Sequence, residues 1–174
     1  MILGEHGDSM VPIWSSATVA GLPMEQWPTF SPAVQREAFE DTKTAGAQLI
    51  KLKGGSGFAV GLSIREVVEA LARDGRRVLP VSSLQQGLYG IRDVCLSVPT
   101  VVGCGGVRQQ IELALTPKER LAMQQSARVL RETIDQVETR IGKVRASHAA
   151  APAPKGNAAP ANGGRSIPRA AWQR

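Results

Sequence analysis

The chain contains little cysteine and little histidine. Its 174 residues include two cysteines, Cys95 and Cys104, and two histidines, His6 and His148. Two cysteines nine residues apart, without a further cysteine or a nearby histidine, do not make a zinc site or a disulfide framework. We therefore predict no metal site. Because both cysteines lie in apolar stretches, we predict that they are buried free thiols.

Long apolar runs are also missing. No run approaches the roughly 18 residues that a membrane-spanning helix needs. The N-terminal MILGEHGDSM has no basic region followed by a long apolar one, so it does not have the pattern of a secretory signal. We expect no membrane partner and a cytoplasmic location.

Acidic residues are absent from 143–174, which carries six Lys or Arg, whereas 1–142 is balanced. The net charge of +6 therefore belongs to the C-terminal segment. Residues 146–174 are rich in Ala, Pro and Gly and have almost no large apolar side chains, so we predict that they are disordered. The folded domain is predicted to cover 1–145. Nucleic acid is not an expected partner, because the charges are sparse and only Trp172 could stack on a base.

Apolar periodicity predicts three helices. The first covers 32–53 and begins after Ser31, a candidate N-cap. The second covers 58–74 and places one apolar stripe against the core. The third begins after Thr116, which forms a capping box with the acid three residues later, and continues for about seven turns.

The region between the second and third helices predicts a sheet. Runs rich in β-branched residues at 76–85, 94–103 and 107–115 are separated by turn residues, which indicates a three-stranded antiparallel meander. A further strand is predicted within 10–20. The order of elements indicates an α+β domain, in which long helices pack on an antiparallel sheet. No GxGxxG motif follows a strand, and the GCGG at 103–106 lies between antiparallel strands, so the chain lacks a dinucleotide-binding fingerprint.

His6 is the candidate for proton transfer near neutral pH, because His148 lies in the tail. Gly4 and Gly7 flank the Glu5-His6 pair and permit a tight turn or a close approach to a ligand. From the residues alone, a structural role for His6 in this turn outweighs a catalytic one. A metal site within the loop is not expected either, because consecutive loop residues rarely converge on one ion.

Three segments and the last helix carry a family resemblance. GEHGDSMVPIWSS, KLKGGSGFAVGLS and RRVLPVSSLQQGLYGIRDVCLSVP are similar, in this order and spacing, to the C-terminal part of L-lactate dehydrogenases, within the lactate/malate dehydrogenase superfamily. The resemblance covers residues 2 to about 140. It implies the α+β C-terminal fold of that superfamily and the interconversion of (S)-lactate and pyruvate with NAD. It also implies that His6 is the proton donor and acceptor.

The resemblance implies roles for two further residues. Ser56 lies where the family usually has a threonine close to the substrate, and Val60 where an apolar residue lines the nicotinamide pocket. From the residues alone, they belong to a helix-entry loop and to the core. Serine keeps the hydroxyl but loses a methyl group, and it lies here between Gly55 and Gly57, which leaves open a different substrate selectivity.

Other parts of the family's catalytic apparatus are expected to precede residue 1. They are the NAD-binding domain, the arginine that holds the substrate carboxylate, the aspartate that orients the histidine, and the mobile loop. We therefore expect this chain to be the substrate-binding half of a homotetrameric enzyme that acts on a small 2-hydroxy or 2-oxo acid. By itself it should be inactive and poorly soluble.

Two alternatives stay open. The first is a malate dehydrogenase of the same superfamily, although VPIWS after GEHGDS is more typical of the lactate enzymes. The second is a binding or assembly module without catalytic activity.

Overall fold

The secondary structure follows the order hairpin, hairpin, helix, helix, meander, helix. The computed structural model describes residues 1–141, so the predicted tail at 146–174 and the end of the predicted domain at 145 lie outside the described residues. The elements are β1 (Ile2–Leu3), β2 (Val11–Pro12), β3 (Thr18–Val19), β4 (Leu22–Pro23), α1 (Pro32–Lys53), α2 (Gly57–Ala72), β5 (Arg77–Gln86), β6 (Arg92–Gly103), β7 (Gly106–Gln110) and α3 (Pro117–Arg140). The α+β prediction is confirmed.

Strands β5, β6 and β7 form the predicted antiparallel meander. The β5–β6 pairing extends from Arg77 opposite Val102 to Gln86 opposite Arg92. The GCGG segment makes the tight connection between β6 and β7, as the sequence predicted. The central strand β6 is therefore paired on both sides.

The core lies between the sheet and helix α3. Side chains on β6 alternate, so Val94, Leu96 and Val98 are buried while Cys95 is exposed. Helix α3 presents Met123 to the same core. The whole buried cluster is Leu3, Val11, Ile13, Tyr89, Ile91, Val94, Leu96, Val98, Met123 and Ala127.

The capping predictions for α1 and α3 are confirmed. The Ser31 hydroxyl accepts from the Val34 N–H at 3.3 Å. Thr116 and Glu119 form the reciprocal capping box at the start of α3. None of the described helices is long and apolar enough to cross a membrane.

The prediction that α2 is half buried is wrong for this chain. Ala70 is its one buried residue, and the apolar stripe that includes Val60, Ile64 and Val68 is more than a third exposed, because residues 1–141 leave it uncovered. The helix also ends two residues before its predicted end, since the chain turns at Asp74, whose φ is +48°.

Two further predictions are corrected. The strand predicted within 10–20 is instead the two short strands β2 and β3, which belong to separate hairpins, with a turn between them closed by the Ala17 N–H on the Trp14 carbonyl at 2.9 Å. Both cysteines are exposed rather than buried. Cys95 lies on the outer face of β6 and Cys104 in the β6–β7 turn, so neither reaches the core.

Candidate active site

The GEHGDS segment forms the loop of the β1–β2 hairpin. Leu3 pairs with Val11, and both side chains are buried. Within the loop, the Met10 N–H donates to the Gly7 carbonyl at 3.2 Å. The apolar ends of the hairpin thus anchor a polar loop at the edge of the core.

Gly4 joins this loop to the central strand. Its N–H and carbonyl each form a 2.9 Å hydrogen bond with the backbone of Ser97 in β6. Gly4 has a φ of +86°, and a Cβ atom at this position would lie 2.7 Å from Ser126 Oγ. Both the backbone conformation and the close approach of α3 therefore require glycine here.

Serine side chains hold both ends of the loop. The Glu5 N–H donates to Ser126 Oγ at 2.8 Å. The Ser9 N–H donates to the Glu5 carboxylate at 3.3 Å, and the Ser9 hydroxyl donates to the same carboxylate. Ser9 Oγ and Ser126 Oγ are 3.2 Å apart. Residues on both sides of His6 are therefore fixed by hydrogen bonds.

His6 itself is exposed and borders a cleft of about 220 Å³. The other lining residues are Gly4, Glu5, Pro80, Ser82, Cys95, Leu96, Ser97 and Leu130. Within residues 1–141, no hydrogen bond or ion pair engages the imidazole. The imidazole is available to exchange a proton with a molecule in the cleft. The described lining of the cleft contains no Lys or Arg.

The structure places Ser56 and Val60 together, but apart from this cleft. Ser56 is the N-terminal cap residue of α2 and makes no side-chain capping bond. Its carbonyl accepts the Val60 N–H at 3.1 Å, and the Val60 side chain is 50% exposed. Neither residue lines the His6 cleft among the described residues.

Sequence reasoning missed Cys95 and Ser97 as residues of the cleft. Both follow from the alternation in VCLSVP, because a strand that buries Val94, Leu96 and Val98 turns the residues between them to the other face. Ser126 was also missed. Its contact with Glu5 spans 121 positions, and no local pattern indicates it.

A larger groove of about 630 Å³ lies elsewhere, between the first turns of α1 and α3. Trp14, Phe39 and Ala122 are among its apolar lining residues. It does not include His6. Among residues 1–141, no three His, Cys, Asp or Glu side chains are grouped so that they could hold a metal ion.

The pattern of strands, helices and the GEHGDS loop has a counterpart in one family of proteins. Residues 1–141 match the family model for the lactate/malate dehydrogenase alpha/beta C-terminal domain. The chain belongs to the lactate/malate dehydrogenase family. The resemblance inferred from the sequence is thereby confirmed, together with the fold that it implied.

Curated relatives of this lactate/malate dehydrogenase chain include enzymes of different names. It is 45% identical over 137 residues to an L-lactate dehydrogenase of Synechococcus sp., which is 78% of this chain and 45% of that protein. It is 41% identical over 138 residues to a malate dehydrogenase of Nitratiruptor sp., which is 79% of this chain and 43% of that protein. The chain thus spans less than half the length of the curated relatives that it matches.

Solved structures give the same result for this family member. The minor L-lactate dehydrogenase of Enterococcus mundtii superposes with a TM-score of 0.76 at 34% identity, covering 79% of this chain and 45% of that one. Malate dehydrogenase of Salinibacter ruber gives 0.75 at 34% identity, covering 82% and 47%. The fold of this lactate/malate dehydrogenase domain is therefore common to enzymes of both names.

Proposed function

We propose that this chain is the substrate-binding, proton-transferring half of an NAD-dependent L-lactate dehydrogenase. The observation that carries the proposal is the exposed His6, held in a fixed loop beside a cleft and without a hydrogen-bond partner on its ring among residues 1–141. The family membership supports a dehydrogenase. Relatives named L-lactate dehydrogenase, at 45% and 43% identity, support lactate as the substrate.

The proposed chemistry for His6 is one proton transfer in each direction. When pyruvate is reduced, the carbonyl carbon gains a hydride, the C–O π bond breaks, and the imidazolium N–H gives its proton to the carbonyl oxygen. When lactate is oxidised, the neutral imidazole takes that proton back. Imidazole suits both directions because its ordinary pKa lies near 6.5, close to neutral pH. NAD, when bound, supplies and accepts the hydride.

The described residues could form only one side of a binding site for the nicotinamide ring. Val60 offers an exposed apolar side chain on the first turn of α2, and its N–H donates to the carbonyl of the cap residue Ser56. Strand pairing within residues 1–141 is antiparallel in all three sheets, so no βαβ unit is present there to hold the rest of a dinucleotide. Ser56 would contact the substrate, and the remaining binding groups would come from another domain.

Malate dehydrogenase is the second candidate. The 41% identity to the Nitratiruptor malate dehydrogenase supports it almost as well as the lactate relatives support the first proposal. The two substrates differ by a second carboxylate. The described lining of the His6 cleft contains no Lys or Arg to bind either carboxylate, so the choice between the substrates rests on the activity of the whole enzyme.

We also propose that the parent enzyme is a cytoplasmic homotetramer. The uncovered apolar stripe of α2, with Val60 at 50% and Ile64 at 57% exposure, supports burial against another domain or subunit. The same face is the observation that favours an assembly module without catalytic activity. A measurement of dehydrogenase activity decides between the catalytic tetramer and the assembly module.

A chimeric enzyme tests the proposed function. The cofactor-binding half of the Synechococcus L-lactate dehydrogenase would be joined to this chain, and NADH oxidation would be measured with pyruvate and with oxaloacetate. We expect pyruvate to be reduced and the His6→Asn variant to lose about 10²- to 10⁴-fold in rate. The 174-residue chain alone should show no turnover with either acid.

Each other outcome has a definite meaning. Faster reduction of oxaloacetate than of pyruvate would show that the parent enzyme is a malate dehydrogenase rather than a lactate dehydrogenase. A folded chimera that is inactive with both acids would support the assembly module. A His6→Asn chimera as active as its parent would remove His6 from the mechanism.

A further inference from the structure

Ser126 is fully buried in helix α3, yet its hydroxyl faces the loop that carries His6. It is 0% exposed and contacts both Glu5, which directly precedes His6, and Ser9, which lies three residues after it. We propose that Ser126 is a positioning residue for His6, acting through a closed ring of hydrogen bonds that fixes the GEHGDS loop on α3. The consequence for catalysis rests on the proposed function of His6.

The direction of each hydrogen bond in the ring follows from counting protons. The Ser9 hydroxyl has one proton and donates it to the Glu5 carboxylate, which only accepts when ionised. Ser9 Oγ must therefore accept, at 3.2 Å, the single proton of Ser126. Ser126 Oγ accepts in turn from the Glu5 N–H at 2.8 Å. The ring runs from the Glu5 N–H through Ser126 and Ser9 back to the Glu5 carboxylate.

A closed ring fixes the geometry of the loop more strongly than the same hydrogen bonds would if they formed separately. Each hydroxyl donates once and accepts once, and hydrogen bonds in a chain polarise one another. Ser126 is 0% exposed, so in the folded chain its hydroxyl rather than bulk water is the partner of the Glu5 N–H. Removing the Ser126 hydroxyl leaves two groups unsatisfied, the Glu5 N–H and the Ser9 oxygen.

The other contact between this loop and a helix is weak. Asp8 forms an ion pair with Lys43 of α1 at 3.5 Å, but the Asp8 side chain is 97% exposed. Exposed pairs of this kind contribute little to stability or position. Of the two helices that contact the loop, α3 is therefore the one that holds it, through Ser126, while β6 holds its first residue, Gly4.

Nuclear magnetic resonance of the full chain tests the ring directly. In Ser126→Ala we expect hydrogen exchange at the Glu5 amide to accelerate about fivefold or more, as the loss of one hydrogen bond implies. We also expect the His6 imidazole resonances to shift and its backbone heteronuclear NOE to fall. The rate of His6 acylation by diethyl pyrocarbonate, measured relative to His148 in the same molecule, should change with them.

Two comparisons separate positioning from general destabilisation. Ala127→Gly weakens the same helix by about 1–2 kcal/mol, through backbone entropy and the loss of one buried methyl group, and removes no atom of the hydrogen-bonded ring, so its His6 signals should match those of the original chain. Ser9→Ala opens the ring at another point and should reproduce the Ser126→Ala effects on His6. Because one break opens the ring, the double variant should be little worse than either single one.

The catalytic consequence is measured in the chimera. Ser126→Ala should lower kcat about ten- to a hundredfold with little change in KM for pyruvate, because a small misplacement of a catalytic group affects the reaction more than binding. Ala127→Gly should lower thermal stability without this fall in kcat. An inactive chimera would overturn the proposed function. The nuclear magnetic resonance measurements on the chain itself would still test whether the hydrogen-bonded ring positions His6.

The ring proposal has a clear contrary result. In this result, the Glu5 amide of Ser126→Ala loses its protection against hydrogen exchange, but the His6 resonances and the rate of His6 acylation do not change. Ser126 would then have a structural role only. Additive effects of Ser126→Ala and Ser9→Ala would show separate hydrogen bonds rather than a closed ring.

Discussion

The carboxylate of Glu119 accepts both polar protons of Ser15, from the N–H at 3.0 Å and from the hydroxyl at 2.7 Å. The same carboxylate accepts the N–H and hydroxyl of Thr116 at 2.9 and 2.8 Å. Glu119 is 8% exposed. Burial raises the pKa of Glu119, but the hydrogen bonds from Ser15 and Thr116 outweigh it and hold the pKa below the usual range. The acid of the capping box thus also connects the N-terminal segment to α3.

Replacing Glu119 by Gln should destabilise the domain. Glutamine keeps the size but loses the charge and one acceptor, so hydrogen bonds to a charged group are lost, and we expect the free energy of unfolding to fall by about 1–3 kcal/mol. Urea unfolding followed by circular dichroism measures the change. Glu132→Gln, at an exposed position on the same helix, should change it by less than about 0.5 kcal/mol. Equal effects of the two variants would contradict the role of Glu119.

The lowered pKa of Glu119 also predicts a pH dependence. Because the unfolded state binds the proton more tightly, this contribution is fully present well above the ordinary pKa of 4.5 and is lost as pH falls through the lower pKa of the folded state. Unfolding free energy measured as a function of pH should therefore fall on the acid side less steeply in Glu119→Gln than in the original chain. Parallel curves would exclude this linkage.

Tyr89 allows a test at alkaline pH. Its buried hydroxyl accepts the Leu113 N–H at 2.7 Å, and burial raises the pKa of Tyr89 above 10.0. It is the single tyrosine in the sequence, so the ultraviolet absorbance of tyrosinate reports on it alone. We expect this absorbance to appear at higher pH in the folded chain than in urea. The protonated form stabilises the fold below pH 10, and the contribution is lost as pH rises through the folded pKa.

Comparing Gly4 with Gly54 separates two free-energy costs of adding a side chain, the strain of a positive φ and the steric contact with a neighbouring residue. Both have positive φ, +86° and +76°, but a Cβ at Gly54 meets nothing within 4 Å, whereas at Gly4 it meets Ser126. Gly54→Ala should cost about 1–2 kcal/mol for the backbone conformation alone. Gly4→Ala should cost about 1–3 kcal/mol more, because α3 must move away. Thermal unfolding measures both, and similar losses would show that the approach of Ser126 is not tight.

The uncovered face of α2 should make the isolated chain associate. Ile64 and Val68 on this face are more than half exposed, and apolar patches of this kind promote association. Size-exclusion chromatography with light scattering should show species larger than a monomer. Ile64→Glu combined with Val68→Glu should restore the monomer, whereas Ser63→Glu, outside the stripe on the same helix, should not. A monodisperse monomer of the original chain would refute the prediction.

Local signals predicted most of the secondary structure. The N-cap at Ser31, the capping box of Thr116 with Glu119, and the β-branched runs of the meander depend on residues within a few positions of one another, and the structure has all of them. The strand predicted within 10–20 was wrong because apolar content indicated a strand where the chain makes two hairpins.

Burial was harder to predict than secondary structure. Periodicity identified the apolar face of α2, but whether that face is covered depends on what packs against it, and residues 1–141 do not cover it. Cys95 lies in an apolar run and is nevertheless exposed, because alternation along β6 turns it away from the core. An apolar neighbourhood in sequence is therefore not evidence of burial.

The sequence by itself determined the family, the order of elements and His6 as the candidate for proton transfer, because each rests on a contiguous motif. His6, Ser56 and Val60 remain predictions as site residues. Only the tertiary structure decided how the His6 loop is held, since Glu5 and Ser126 are 121 positions apart and meet only when α3 packs against β6. A hydrogen bond needs its two atoms within about 3 Å, and only folding brings residues so distant in sequence that close together.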